Sequence, residues 1–181
     1  VVNGSFDNSL DGTWIGNGTM SSDTRVAAID DERSTYACKI TGEGSKDKYF
    51  SQAIEINRPA KNLFFKVSML GKGSSVNLQE DTRKFGMVVT SYFTDGTYKE
   101  DTINFNPDYV SGWQRLADTI GYDDGYESKT VEYITVRMAY CQNENMAYFD
   151  DILVQIDETG MSYDYDSDGN LISAIETSGR Q

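Results

Sequence analysis

An antiparallel all-β sandwich is the fold this sequence predicts, and three observations predict it. Short runs of β-branched and aromatic residues recur along the 181-residue chain, each closed by Gly, Asn, Asp or Pro. Within most runs apolar and polar residues alternate, as in strands with one face in water. No helical period persists beyond two turns.

Taken in order, residues 1–10 begin as a short strand anchored by Phe6, and Asp11-Gly12-Thr13 turns the chain into Trp14. Residues 16–24 are rich in Gly, Asn, Ser and Thr and read as loop. Arg25 to Ile29 is a strand, Asp30 to Arg33 a polar turn, and Tyr36 to Ile40 a strand with Tyr36, Cys38 and Ile40 on one face. Gly42 to Lys48 is a loop. Tyr49 to Ile56 follows as a strand with Phe50, Ile54 and Ile56 inward, and Asn57-Arg58-Pro59-Ala60 breaks it. Leu63 to Met69 is a strong strand signal, and Gly71 to Ser75 reads as a further loop. Phe85 to Phe93 and Tyr98 to Phe105 form a hairpin, with Asp95-Gly96 at the centre of its turn. Asn106-Pro107-Asp108 is a break, Trp113 to Ile120 a strand, and Gly121 to Ser128 an acidic loop carrying Tyr122 and Tyr126. Val131 to Tyr140 places Ile134, Val136, Met138 and Tyr140 on one face, and Tyr133, Thr135 and Arg137 on the other.

The stretch Tyr148-Phe149-Asp150-Asp151-Ile152-Leu153-Val154 closes the sandwich. By strict alternation Asp150 shares a face with Tyr148, Ile152 and Val154. A carboxylate on an apolar face is costly unless something pairs with it. The expectation is that this strand meets the Asn3-Gly4-Ser5-Phe6-Asp7 segment and that Asp150 and Asp7 share a structural cation, Ca²⁺ above all, which takes hard oxygen ligands. After Asp157 the composition changes. Residues 1–157 read as the sandwich and 158–181 as a short extension, with Asp168-Gly169-Asn170 turning a small hairpin.

The formal charge of −13 argues against nucleic acid and anionic membrane surfaces as partners. No apolar run reaches membrane-spanning length. The first residue is Val1, and the expectation is a piece of a longer chain. Cys38 and Cys141 are compatible with one disulfide or with two buried thiols. No histidine exists, so Ser-His and Cys-His nucleophile schemes fail. Many acids are present, but no pattern selects two for glycoside hydrolysis. The reading is therefore not an enzyme. Asp164-x-Asp166-x-Asp168-Gly169 resembles the start of an EF-hand loop but lacks the acidic residue at its far end.

Two family resemblances follow from these motifs. Asn3-Gly4-Ser5-Phe6-Asp7, Trp14 and the Tyr148 to Ile152 strand together resemble jelly-roll carbohydrate-binding modules of the galactose-binding-like kind, over residues 1–157. That resemblance implies a jelly roll, a glycan ligand and a structural calcium joining the two ends at positions matching Asp7 and Asp150, with Asp7 one carbon shorter than the usual Glu. The segment Tyr163 to Ile172, followed by Gly179-Arg180, is similar to a YD repeat of the RHS family. It implies a large bacterial protein, secreted or attached to the cell wall, with the rest of its own RHS chain as a partner. Phe105 to Asp108 running into Gly112-Trp113-Gln114 also looks like modules found in such proteins.

A sugar platform needs exposed aromatic faces with polar groups to orient hydroxyls. On outward parity these are Tyr133 and Arg137 on one strand, and Tyr92 with Tyr98 flanking the Asp-Gly turn. Tyr122 and Tyr126 are further candidates, whereas Trp14 and Trp113 read as core plugs. The expected function is non-catalytic glycan recognition. Its alternative is a structural or adhesion spacer packed on the RHS shell.

Overall fold

The computed structural model describes residues 1–2, 4–6, 12–16, 20–21, 37–73, 76, 82–109, 112–123, 125–157, 160–165 and 171–177, the backbone alone for 20–21, 160–165 and 171–177. It is an antiparallel β-sandwich of the jelly-roll type. One sheet runs β1 (Ile15–Gly16), β4 (Asp47–Pro59), β9 (Thr130–Cys141), β6 (Lys84–Phe93), β7 (Tyr98–Asn104). The other runs β2 (Met20–Ser21), β3 (Cys38–Thr41), β10 (Met146–Asp157), β5 (Phe64–Gly73), β8 (Gln114–Ile120). From β3 to β10 the chain crosses between sheets at every step except the β6–β7 hairpin, so neighbours in a sheet are mostly distant in sequence. A separate hairpin, β11 (Gly160–Tyr165) with β12 (Leu171–Thr177), follows. No helix among the described residues is long and apolar enough to cross a membrane.

Alternation explains the core. Ile134, Val136, Met138 and Tyr140 of β9 are all buried, as their spacing predicts, and face Phe65, Val67 and Met69 of β5 within one apolar cluster. The β6–β7 turn also forms as expected: Gly96 adopts φ 82, and Asp95 accepts from the Thr97 amide at 3.0 Å. Cys38 faces the interior and Cys141 lies on the outer side of the β9 sheet, so both are buried thiols rather than a disulfide.

Four expectations are corrected. Residues 1–2 and 4–6 are not a strand; Gly4 and Ser5 make a turn, and Phe6, at φ 54, is fully buried against Trp14 with ring centroids 5.9 Å apart. Asn57 to Pro59 does not break β4. A bulge between Glu55 and Arg58, with Asn57 at φ 51, carries the strand through to Pro59. Gly71-Lys72-Gly73 is strand, not loop: the Phe105 ring occupies the space a Cβ at Gly71 would need, and Phe85 packs beside Gly73. The fourth concerns β10. A bulge between Asp150 and Leu153, with Asp151 at φ 48, resets its parity. Phe149 and Ile152 both point inward, while Tyr148 lies on the outer side, half-buried opposite Lys39 and Lys72. The strands expected at Arg25 to Ile29 and at Tyr36 lie outside the described residues.

The two ends of the sandwich do meet. The Ile152 amide donates to the Gly4 carbonyl at 3.0 Å. Asp150 sits in this seam with 1% exposure and accepts from the Asp151 amide at 2.8 Å. Burial, and then the negative charge of Asp150, push the Cys38 thiol pKa well up. Asp7 lies outside the described residues.

Candidate functional site

The outer face of the β9 sheet gathers the candidate residues, because register aligns outward positions into rows across the strands. Tyr98, Tyr92, Tyr133 and Glu55 stand opposite one another on β7, β6, β9 and β4. Two residues along each strand lies Glu100 beside Thr90 and Thr135, and two further lies Val88 beside Arg137. Next come Gly86, Ala139 and Tyr49, then Lys84, Cys141 and Asp47. All four candidates therefore share one face, with Arg137 about 13 Å along the strand from the tyrosines.

The tyrosines are not equivalent. Tyr92 and Tyr133 stack on each other, centroids 4.5 Å apart at 15°, so each ring spends one side on its neighbour. Tyr98 is tilted 39° from Tyr92 at 6.2 Å and is 65% exposed, leaving it the most open ring of the row. Tyr122 and Tyr126 lie elsewhere. Tyr122 donates to Ser91 Oγ at 2.7 Å, and burial pushes its pKa to about 12; Tyr126 stacks on Phe93 at 5.2 Å. Both close the end of the core. Trp14 is buried as expected, whereas Trp113 is only half-buried.

Beyond the tyrosines the face forms a shallow trough. Its floor is small and apolar: Val88, Ala139 and Cys141 make a second buried cluster on the water side of the sheet. Long side chains wall it. Arg137 lies over the Tyr49 ring at 5.8 Å, donates to Thr90 Oγ1 at 2.8 Å, and pairs with Glu100. Lys84 pairs with the other Glu100 oxygen at 2.9 Å. A cavity of about 90 Å³ opens among Asp47, Tyr49, Lys84, Arg137 and the floor residues. Burial pushes the Glu100 carboxyl up, but the hydrogen bonds from Lys84 and Arg137 outweigh it and hold its pKa below the ordinary value. Burial raises the Cys141 thiol to about 11, so it is a floor residue rather than a nucleophile.

Sequence reasoning missed Glu100, Lys84 and Tyr49. Outward parity marks Tyr49, next to inward Phe50, and Glu100, two residues past Tyr98. That these groups converge is a matter of register between strands.

Fold and face together define the class: a jelly-roll β-sandwich with an aromatic and charged outer face. No family model matches the chain. No curated protein matches it either. Among solved structures it is similar to the C-terminal family 22 carbohydrate-binding module of Clostridium thermocellum Xyn10B, at 15% identity over 90% of this chain and 99% of that one (TM-score 0.54). It is also similar to the enzymatically active domain of tailspike protein 4 from bacteriophage CBA120, at 12% identity over 87% of this chain but 21% of that one (TM-score 0.59). A cyclase from Fischerella sp. TAU shares the fold as well, at 11% identity over 87% of this chain and 95% of that one (TM-score 0.55).

Proposed function

We propose that the protein is a non-catalytic glycan-binding module whose ligand lies on the outer face of the β9 sheet. The observation that carries this reading is the row of Tyr98, Tyr92 and Tyr133 running into a trough with polar walls. Sugars present C–H groups to aromatic rings and hydroxyls to polar side chains, and this face offers both. The C. thermocellum module, whose ligand binding is attributed to a cleft, supports the reading through its fold. Among the candidates Tyr98 carries most, because its ring is the most open. Affinity electrophoresis on neutral polysaccharides such as xylan, galactan and mannan tests the proposal. Tyr98→Ala is expected to weaken binding about ten-fold, the size of one aromatic contact. Retardation that survives both Tyr98→Ala and Tyr92→Ala would move the ligand off this face.

The reading extends to a structural Ca²⁺ held by Asp150 and Asp7, with backbone carbonyls completing the shell. Among the described residues no three acidic, Cys or His groups converge, and Asp7 lies outside them. The donor chemistry fits, since a 1% exposed carboxylate at the seam is a hard oxygen ligand. EDTA is expected to lower the melting temperature and added calcium to restore it; a superimposable curve removes the metal. The RHS setting, and with it a secreted or wall-attached location, rests on the Tyr163 to Ile172 motif. The pairing of β11 with β12 across that motif is compatible with it.

A further inference from the structure

The trough carries two cations, Lys84 and Arg137, and both are already paired with one carboxylate. Glu100 reaches across from β7, one carboxylate oxygen on Lys84 Nζ at 2.9 Å and the other on Arg137 Nη2, and the Thr90 hydroxyl adds a bond at 3.3 Å. The three charged side chains are about equally shielded, with 26%, 27% and 34% of their surfaces exposed. At that depth ion pairing is screened less than at an open surface. Asp47 lines the same cavity, so the two cations there face two carboxylates. The chain as a whole carries a formal charge of −13.

We propose that Glu100 restricts this face to neutral glycans: by clasping Lys84 and Arg137 it withholds the cation pair that a uronate or sulfate group requires. The inference rests on the glycan reading above and names the ligand class within it. A carboxylated sugar entering the trough meets a site already neutralised and must displace a tethered carboxylate. A neutral sugar displaces nothing, because Lys84, a donor of three hydrogen bonds, makes one to Glu100 and keeps others for hydroxyls. Removing the Glu100 charge while keeping its shape leaves two half-buried cations with Asp47 as the remaining carboxylate of the cavity, an excess of positive charge on an apolar floor that favours a carboxylate ligand.

The test compares wild type and Glu100→Gln by affinity electrophoresis and calorimetry on neutral xylan and galactan and on polygalacturonate and alginate, with melting curves confirming the fold. Wild type is expected to bind at least one neutral polymer and to pass the acidic ones unretarded. Glu100→Gln is expected to gain at least ten-fold on an acidic polymer, with the gain erased by added salt. Glu100→Ser, shorter and uncharged, provides the same readout if the glutamine variant does not fold. Equal wild-type binding to neutral and acidic polymers overturns the role of Glu100 while the glycan reading stands, and so does an unchanged preference in the variants. Absence of binding to every polymer by all the proteins overturns both.

Discussion

Phe85→Ala is expected to cost about 3–5 kcal/mol, the range for deleting a fully buried ring. Phe85 is the hub of the aromatic core: its ring lies 4.8 Å from Phe105 and 5.9 Å from both Tyr140 and Phe149. It is 1% exposed and packs beside Gly73, where a Cβ would come within 3.1 Å of the ring. Collapse into the cavity is restrained, because the Tyr140 ring is held by its hydroxyl on the Glu144 carbonyl at 2.6 Å and the Phe105 backbone by its amide on the Phe85 carbonyl at 2.8 Å. Domains of this size have about 5–15 kcal/mol in total, and each kcal/mol moves the melting temperature by roughly 2–4 °C. A drop of about 6–20 °C in a circular-dichroism melt is the expected result. A loss under about 2 °C would mean that the two sheets are not joined through this ring.

The same cluster shows where a sequence can and cannot be read. Alternation gave β9 and the β6–β7 hairpin because each position there obeys a period of two, and Asp95-Gly96 fits one turn. Gly71 and Gly73 read as loop because glycine weakens a strand on local grounds; what makes them strand is the pair of rings laid against them, contributed from 12 to 34 residues away. Bulges defeat parity for a similar reason. Nothing in Asp150-Asp151-Ile152 announces an added residue, and only the register against Ser68 and Leu70 shows that the face has switched.

The candidate site divides along the same line. Tyr92, Tyr133 and Arg137 are legible as outward because each adjoins an inward apolar residue on its own strand, and Tyr98 because it flanks the Asp-Gly turn opposite Tyr92. That Tyr92 stands directly between Tyr98 and Tyr133 depends on β6 lying between β7 and β9. The clasp of Glu100 on Lys84 and Arg137 joins three strands. Sequence shows three unremarkable surface charges; the sheet makes them one ion-paired cluster on an apolar floor.

Gly4→Ala is expected to destabilise the sandwich by about 2–4 kcal/mol, summing overpacking of about 1–3 kcal/mol and the loss of a hydrogen bond worth about 1 kcal/mol. A Cβ at Gly4 would drive into the carbonyl oxygen of Ile152, whose amide binds the Gly4 carbonyl. The obstacle is backbone, so no rotamer change relieves it. Either the head of the chain withdraws from β10, or the bulge that positions Ile152 distorts and carries Asp150 with it. Gly44→Ala is the matched control: the nearest atom there belongs to the flexible Glu144 side chain at 3.3 Å, and its cost should stay within about 0.5 kcal/mol. Urea denaturation of the three proteins measures the difference. Matching midpoints for the two alanine variants would mean that the meeting of head and tail is incidental to the stability of the fold. A Gly4→Ala protein with a lower midpoint that calcium no longer raises would tie the seam and the proposed cation to the same few residues.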